Sequence, residues 1–317
     1  FAHIIDDHFM GTTHVVRGEE WLATLNIHLQ LFRTMGWKAP KYVHTAQLMK
    51  MDGGSKRKLS KRKDPELALD FYNAEGYPVP SVLEYLMTLL NSNFEDWRLA
   101  NPTAPMGDFQ FTTKKMGNSG SLFDIDKLKD VSKNTISVMS ADQVYDEVTA
   151  WAKDFDPQLY TLLTADEQKA KAIFAIGRGG AKPRKDIAIW SEVKDYVAFF
   201  YEELFTAASE YPENVSTQDA LDILTQYRSL YSPADDGETW FNKVRELGES
   251  LGFAAKPKDY KKNPDQYKGH VGDVSQVIRL AITGRTNSPD LCSVMQILGE
   301  EVCQQRLAQA IELLSNR

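Results

Sequence analysis

Asp52-Gly53-Gly54-Ser55-Lys56-Arg57-Lys58-Leu59-Ser60-Lys61-Arg62-Lys63 packs six cations into its last eight residues, behind a pair of glycines. Flexible glycines let a backbone approach phosphate oxygens. Lysines neutralise the charge that builds on a leaving pyrophosphate, and a serine hydroxyl donates to the same group. Such a loop can fold over a triphosphate and assist adenylate formation. The same composition also fits a solvated charge run or a nuclear-localisation-like patch, and composition alone does not choose between them.

Upstream, Ala2 to Asp6 and Thr12 to Arg17 read as short buried strands. Glu19 to Met35 reads as a helix with Trp21, Leu25, His28/Leu29 and Phe32 on one face, closed by Gly36. Gly53–Lys63 is then a basic loop between this strand-and-helix region and a pair of short helices. Of these, the first has Asp64-Pro65 as N-cap and N1 proline and closes at Gly76, and Pro80 opens the second, which runs through Leu90. Residues 98–121, rich in Asn, Pro, Gly and Thr around Phe109-Gln110-Phe111, suggest a long loop with one strand.

Beyond this junction the pattern is helical. Ser140-x-x-Gln143 and Thr164-x-x-Glu167 have the form of capping boxes, and Ser216 begins a third helix. Lys256 to His270, with five lysines and two prolines, reads as a basic linker or loop. Its lysines, Lys256, Lys258, Lys261, Lys262 and Lys268, suit phosphate contacts and suit plain solvation equally well. The chain ends in two helices, Val274 to Ile282 and Pro289 to Leu314, the latter broken near Gly299.

The bulk numbers set limits. A chain of 317 residues, 42% apolar and 26% charged, is long enough for two or three packed domains. The formal net charge of -7 argues against a wholly basic nucleic-acid binder. Residues 1–63, however, hold eleven Lys/Arg against five Asp/Glu, a net +6, which leaves -13 for the remainder. No window approaches the ~18 apolar residues of a membrane helix, so no membrane partner is expected. The chain opens on Phe1 with no initiator Met or targeting peptide, so the natural start is expected to lie upstream. Cys292 and Cys303 cannot form a metal cage and read as buried thiols of a reducing, cytoplasmic setting. Asp6-Asp7-His8 invites a metal or base, but His3, His8, His14, His28 and His44 share no ligand spacing, so no protein metal site is expected.

Lys58-Leu59-Ser60-Lys61-Arg62 resembles the KMSKS-type loop of class I aminoacyl-tRNA synthetases, in the form common to glutamate enzymes. Ile5-Asp6-Asp7-His8-Phe9-Met10-Gly11 and Thr13-His14-Val15-Val16-Arg17-Gly18-Glu19-Glu20-Trp21 are similar to the segment that leads into that loop. Gly36-Trp37, Pro40 and His44 keep the spacing, and the likeness is firm again at 277–284 and at Ser288-Pro289-Asp290-Leu291.

The chain is thereby identified as similar to the C-terminal portion of bacterial-type glutamyl-tRNA synthetases. The resemblance implies a mainly α, multidomain fold. It comprises the remnant of a Rossmann-like α/β catalytic domain with the KMSKS-type loop (1–63), a stem-contact domain (64–134) and an all-α anticodon-binding region in two parts (135–238 and 239–317). It implies a glutamate-tRNA ligase using ATP with Mg²⁺, L-glutamate and tRNA-Glu, cytoplasmic and monomeric. Lys58, Leu59, Ser60, Lys61 and Arg62 are implied to bind ATP, with Lys58, Ser60 and Lys61 catalytic. Arg17 is implied to pair the glutamate side-chain carboxylate, beside Trp21 and Glu20; a planar guanidinium pairs both oxygens better than a lysine. Arg17 also fits a surface ion pair with Glu19 or Glu20. Arg279, Ser288, Pro289, Leu291 and, on a looser alignment, Arg184 are implied to meet the anticodon; a capping Ser-Pro and a snorkelling arginine fit the same pattern.

The His-x-Gly-His motif and the first half of the nucleotide fold are absent from the sequence. The segment is therefore expected to bind tRNA weakly, not to aminoacylate alone, and to expose sheet edges over residues 1–50. Two alternatives stay open: a glutaminyl-tRNA synthetase, whose anticodon end is built of β-barrels, and a non-enzymatic tRNA-binding module.

Overall fold

The structure is a computed structural model and describes residues 1–117 and 120–316. Asn118 and Ser119, inside the loop expected at 98–121, and Arg317, the end of the last expected region, lie outside the described residues. The chain forms two units, one of residues 1–138 with 187–191 and one of residues 139–186 with 192–317.

The first unit opens with a helix, α1 (Ala2–Phe9), where a strand is expected. A strand needs a neighbour for every second backbone group, whereas a helix satisfies its own. Here Ile4 is fully buried, His3 reaches His28, and His8 stacks on Trp37 at 3.9 Å. Strand β1 (His14–Gly18) forms as expected but is only half covered, with Val16 62% exposed. Glu19–Thr24 is a 3-10 turn that leads into α2 (Leu25–Thr34), whose buried residues are His28 and Phe32. The helix carries the chain to β2 (Lys41–Thr45), which pairs parallel to β1 with His14 opposite Lys41. This is a single β-α-β crossover.

The expected basic loop is a hairpin in its first half. Strands β3 (Leu48–Asp52) and β4 (Ser55–Lys58) pair antiparallel across Gly53-Gly54, at φ 55° and 87°. Two consecutive positive φ values are what a tight two-residue hairpin demands, and glycine adopts them without strain. Past Leu59 the chain turns through residues 60–64 to a 3-10 turn (Pro65–Leu67) and α3 (Leu69–Glu75), which closes on Gly76 in the left-handed region. Helix α4 (Val79–Leu90) is next, then α5 (Phe94–Ala100).

No strand forms at 109–111. Phe109 is buried edge-on against Phe94 at 5.0 Å while Phe111 stays 46% exposed. The strand of this segment is β5 (Ser121–Leu122), parallel to β3, and it leads into α6 (Ile125–Ser137). Leu59, Tyr77, Tyr85, Phe123, Leu128 and Ile189 form the core of this unit. Leu59, 4% exposed, therefore anchors the basic segment; full burial of such a side chain stabilises by about 1.5–3 kcal/mol.

Among its described residues the second unit contains only helices, turns and one isolated bridge, Ala254 to His270. Helix α7 (Ala141–Phe155) starts with the expected reciprocal capping box of Ser140 and Gln143. The second expected box does not form. Thr164 lies inside α8 (Pro157–Ala165), and Asp166 caps α9 (Glu167–Ala175) by accepting from Lys169 N. A carboxylate at the cap also complements the helix dipole, so it outcompetes the threonine two residues earlier.

After the short α10 (Val193–Val197), α11 (Thr217–Leu230) is capped by Ser216 as expected. It packs with α12 (Gly237–Ser250), α14 (Val271–Thr283) and α16 (Glu300–Ser315). The stretch expected as a linker holds α13 (Pro257–Lys262), and α15 (Leu291–Leu298) precedes the break at Gly299. Cys292 and Cys303 are buried free thiols, and burial pushes Cys303 up to about 11. Arg306, 3% exposed, donates to the Phe199 and Ile282 carbonyls at 2.8 Å and lies 3.6 Å from the Phe205 ring centroid. No described helix is long and apolar enough to cross a membrane.

Candidate functional site

The basic segment is pinned at its base and open at its tip. Leu59 N donates to Leu48 O at 3.1 Å while its side chain enters the core. Arg57 turns inward and grips Asp64 with both terminal nitrogens, at 2.7 and 2.8 Å, and Asp52 with Nε at 2.7 Å. Asp64 is 2% exposed and also accepts from Ser60 N at 2.7 Å. The Arg57 guanidinium, with the Ser60 N–H second, holds this carboxyl well below the usual carboxylate range. Beside it Lys50 bonds Glu66, which raises the lysine above its ordinary value.

The six cations are thus sorted. Arg57 is structural, whereas Lys56, Lys58, Lys61, Arg62 and Lys63 are exposed, with no carboxylate in salt-bridge contact among the described residues. Ser60 is half-buried, and its carbonyl accepts from Lys63 N and Asp64 N at 3.0 and 2.9 Å. An anion approaching this turn meets several unpaired ammonium groups on a fixed backbone, an arrangement suited to stabilising polyphosphate charge.

Arg17, at the end of β1, sits among rings. Its Nε donates to His44 Nε2 at 3.1 Å, one terminal nitrogen to His28 Nδ1 at 3.0 Å, and the other to the Trp21 carbonyl at 3.3 Å. Its guanidinium carbon lies 4.7 Å from the Tyr42 ring centroid and 5.8 Å from that of Trp21. Because arginine only donates, His28 Nδ1 accepts, and its proton resides on Nε2, donated to His3 Nε2 at 3.1 Å. Burial, then His3 and Arg17, lowers the His28 pKa and favours this neutral form.

The ion pair with Glu19 or Glu20 is not found. Glu20 is exposed and folds back over Gly18, so the cationic Arg17 faces neutral acceptors. Trp21, 48% exposed, is a rim rather than a core residue.

Arg184, Ser288 and Pro289, far apart in sequence, line one shallow open cleft of about 290 Å³ in the second unit, together with Asp186, Asp195 and Arg285. Arg279 stands on α14 behind it, donating to the Ser288 hydroxyl and to the Ser288 and Pro289 carbonyls at 3.3 and 3.2 Å. Burial lowers its pKa. Ser288 is 8% exposed and Leu291 2%, so Leu291 packs inside at the start of α15 and offers no platform on the surface. The apolar side chain that opens a helix on a packed bundle is drawn inward, and Asp290 caps it by accepting from Ser293 N at 2.8 Å.

Arg184 forks onto Asp186 at 2.6 and 3.0 Å, which raises the arginine. Arg285 forks onto Asp195 at 2.6 and 3.0 Å. Sequence reading missed Arg285 and Asp64; the Arg285 signal was its place just past the Gly284 helix stop. Among the described residues no group of three or more His, Cys, Asp or Glu side chains could hold a metal ion.

Residues 1–130, which carry the basic turn and Arg17, match the family described as tRNA synthetases class I (E and Q), catalytic domain, and residues 143–311 match the anticodon binding domain. The glutamate–tRNA ligase of Acetivibrio thermocellus is 50% identical over 311 residues, 98% of this chain and 57% of that protein. That of Clostridium beijerinckii is 48% identical over 318 residues, 99% of this chain and 58% of that protein. The chain therefore spans under two thirds of the length of these curated relatives. A glutamate-tRNA synthetase structure from Elizabethkingia anophelis superposes with a TM-score of 0.69 at 23% identity, over 98% of this chain and 59% of that one, and shows the shared fold.

Proposed function

The chain belongs to the glutamate–tRNA ligase family of class I tRNA synthetases, and from that premise we propose that it serves the ATP-dependent attachment of glutamate to tRNA-Glu through a glutamyl-adenylate. In this reading residues 1–63 supply the nucleotide loop, 64–134 the stem contact, and 135–238 with 239–317 the anticodon-binding parts. The protein works in the cytoplasm as a monomer. Lys58 and Lys61 stabilise the departing pyrophosphate of Mg²⁺-ATP, Ser60 donates to the nucleotide, and Leu59 and Arg62 complete the loop. Arg17 pairs the glutamate carboxylate, with Trp21 and Glu20 at the rim.

The observation that carries the reading is the sorting of loop charge: one arginine committed to Asp64, the remaining cations exposed on an anchored turn. A solvated charge run needs no buried carboxylate to fix its backbone. At the other end, Arg184 lines a cleft with Ser288 and Pro289, which Arg279 holds from behind, on a helical scaffold, and this supports a glutamate enzyme over a β-barrel glutamine enzyme.

In a ligase of the relatives' full length that carries this segment, Lys61→Ala is expected to slow adenylate formation roughly 10²-fold, as loss of one transition-state donor does. Pre-steady-state adenylate assays measure it, and an unchanged rate rejects the loop assignment.

A further inference from the structure

The stretch between α12 and α14 is not a slack linker. Its two ends are clamped together: Ala254 N donates to Gly269 O at 2.9 Å, Val271 N to Ala254 O at 2.9 Å, and Lys268 N to Gly252 O at 3.0 Å. Between these ends α13 has no buried residue, and Lys258, Lys261 and Lys262 stand at i, i+3 and i+4, which places all three side chains on one helix face. These lysines and Lys256 are exposed, and none has an ion-pair partner among the described residues. Lys268 differs: it is paired with Asp219 at 2.5 Å. Outside residues 1–63 the chain carries a net -13, so a bare cationic face here stands against an acidic body. Such contrast concentrates an anion at one place rather than over the whole surface.

The clamp also fixes where that face lies. His270 caps α14, its Nδ1 accepting from Gly272 N at 3.0 Å, with Asp273 answering to His270 N at 2.8 Å. Arg279 lies nine residues further along the same helix, about 13 Å down its axis. Tyr260 of α13 meets the His270 ring edge-on at 5.8 Å, so the lysine helix is tied to the start of α14, the helix that carries Arg279 further along.

We propose that the Lys258–Lys261–Lys262 face of α13 is an RNA backbone contact. It would hold phosphates of the same RNA whose nucleotides the Arg184–Ser288 cleft meets, setting position without reading sequence. This rests on the tRNA-binding reading above.

The test is the salt dependence of tRNA-Glu binding by the 317-residue chain, measured by filter binding between ~0.05 and ~0.5 M KCl. Each lysine that touches a phosphate contributes roughly 0.7–0.9 to the slope of log K against log salt. The combined Lys258→Gln, Lys261→Gln, Lys262→Gln variant is expected to lose about 2 from that slope and to bind about tenfold or more weakly at ~0.1 M salt. Lys268→Gln, its charge already neutralised, is expected to leave the slope unchanged. Far-UV circular dichroism confirms that the variants fold, and the single exposed change Lys261→Glu gives a second reading of the same effect.

A wild-type slope retained by the triple variant, or a loss as large from Lys268→Gln, overturns the proposal while leaving tRNA binding intact. Failure of the wild-type chain to bind tRNA above a random RNA of equal length overturns the functional reading itself.

Discussion

Asp64 shows what a single carboxylate does when it is buried and fully used. It accepts two bonds from Arg57 and one from Ser60 N, and its pKa is depressed from an ordinary 3.8. The folded state therefore binds fewer protons than the unfolded chain below that value, and stability rises with pH there. The contribution is complete above the unfolded pKa and is lost as pH falls through the lower folded one. Asp64→Asn is expected to lower the melting temperature by a constant amount above about pH 5, and the gap to wild type is expected to begin narrowing below about pH 4 and to go on shrinking as pH falls toward the depressed folded value. Melting curves of both proteins from pH 3 to 7 check this, and a gap that widens in acid contradicts it. In the sequence, Asp64-Pro65 carries the mark of a helix N-cap, and Arg57 is one of six equivalent cations. Linear spacing cannot show which cation turns inward, because that depends on a core that Leu59 shares with Tyr85 and Ile189.

Helix α14 ends where Gly284 takes φ 69°, and a Cβ there would overlap the Thr206 carbonyl oxygen. Gly284→Ala is expected to cost at least about 1–2 kcal/mol from the left-handed backbone alone. For a unit of this size that lowers the melting temperature by about 2–4 °C per kcal/mol, readable by calorimetry. The comparable glycine stop at Gly76 was legible beforehand, as were the caps at Ser140 and Ser216, because these are local backbone devices. What escaped needed distant partners. The segment 2–6 has strand-like composition, yet it coils into α1 because its contacts are His28 and Trp37. Gly53-Gly54 is also a hairpin signal, but charge along Ser55–Lys58 hides the alternation that would mark a strand. Linear spacing gave no hint that Arg184 and Ser288 line one cleft; Leu291, expected on the surface, is buried because burial at a helix start is decided by the helices around it.

Across the whole molecule the two chemistries are unequally equipped. The second unit brings Arg184 and Arg285 to one cleft on a helical scaffold that needs nothing further to satisfy its backbone. In the first unit the parallel sheet beside Arg17 has two strands, and Val16, Trp21, Leu22 and Ile27 around it are about half exposed or more. Nucleotide sites of parallel α/β sheets form in a crevice between neighbouring strand ends, and the proposed pairing of glutamate by Arg17 needs a site from which water is excluded. The 317-residue chain is therefore expected to bind tRNA-Glu in a salt-sensitive manner yet to give ATP–pyrophosphate exchange no faster than a blank. Parallel filter-binding and exchange assays on one preparation decide it. Exchange above background would mean that this two-stranded sheet and the Lys58–Lys61 turn suffice to bind and activate glutamate, and the division of labour between the units would have to be redrawn.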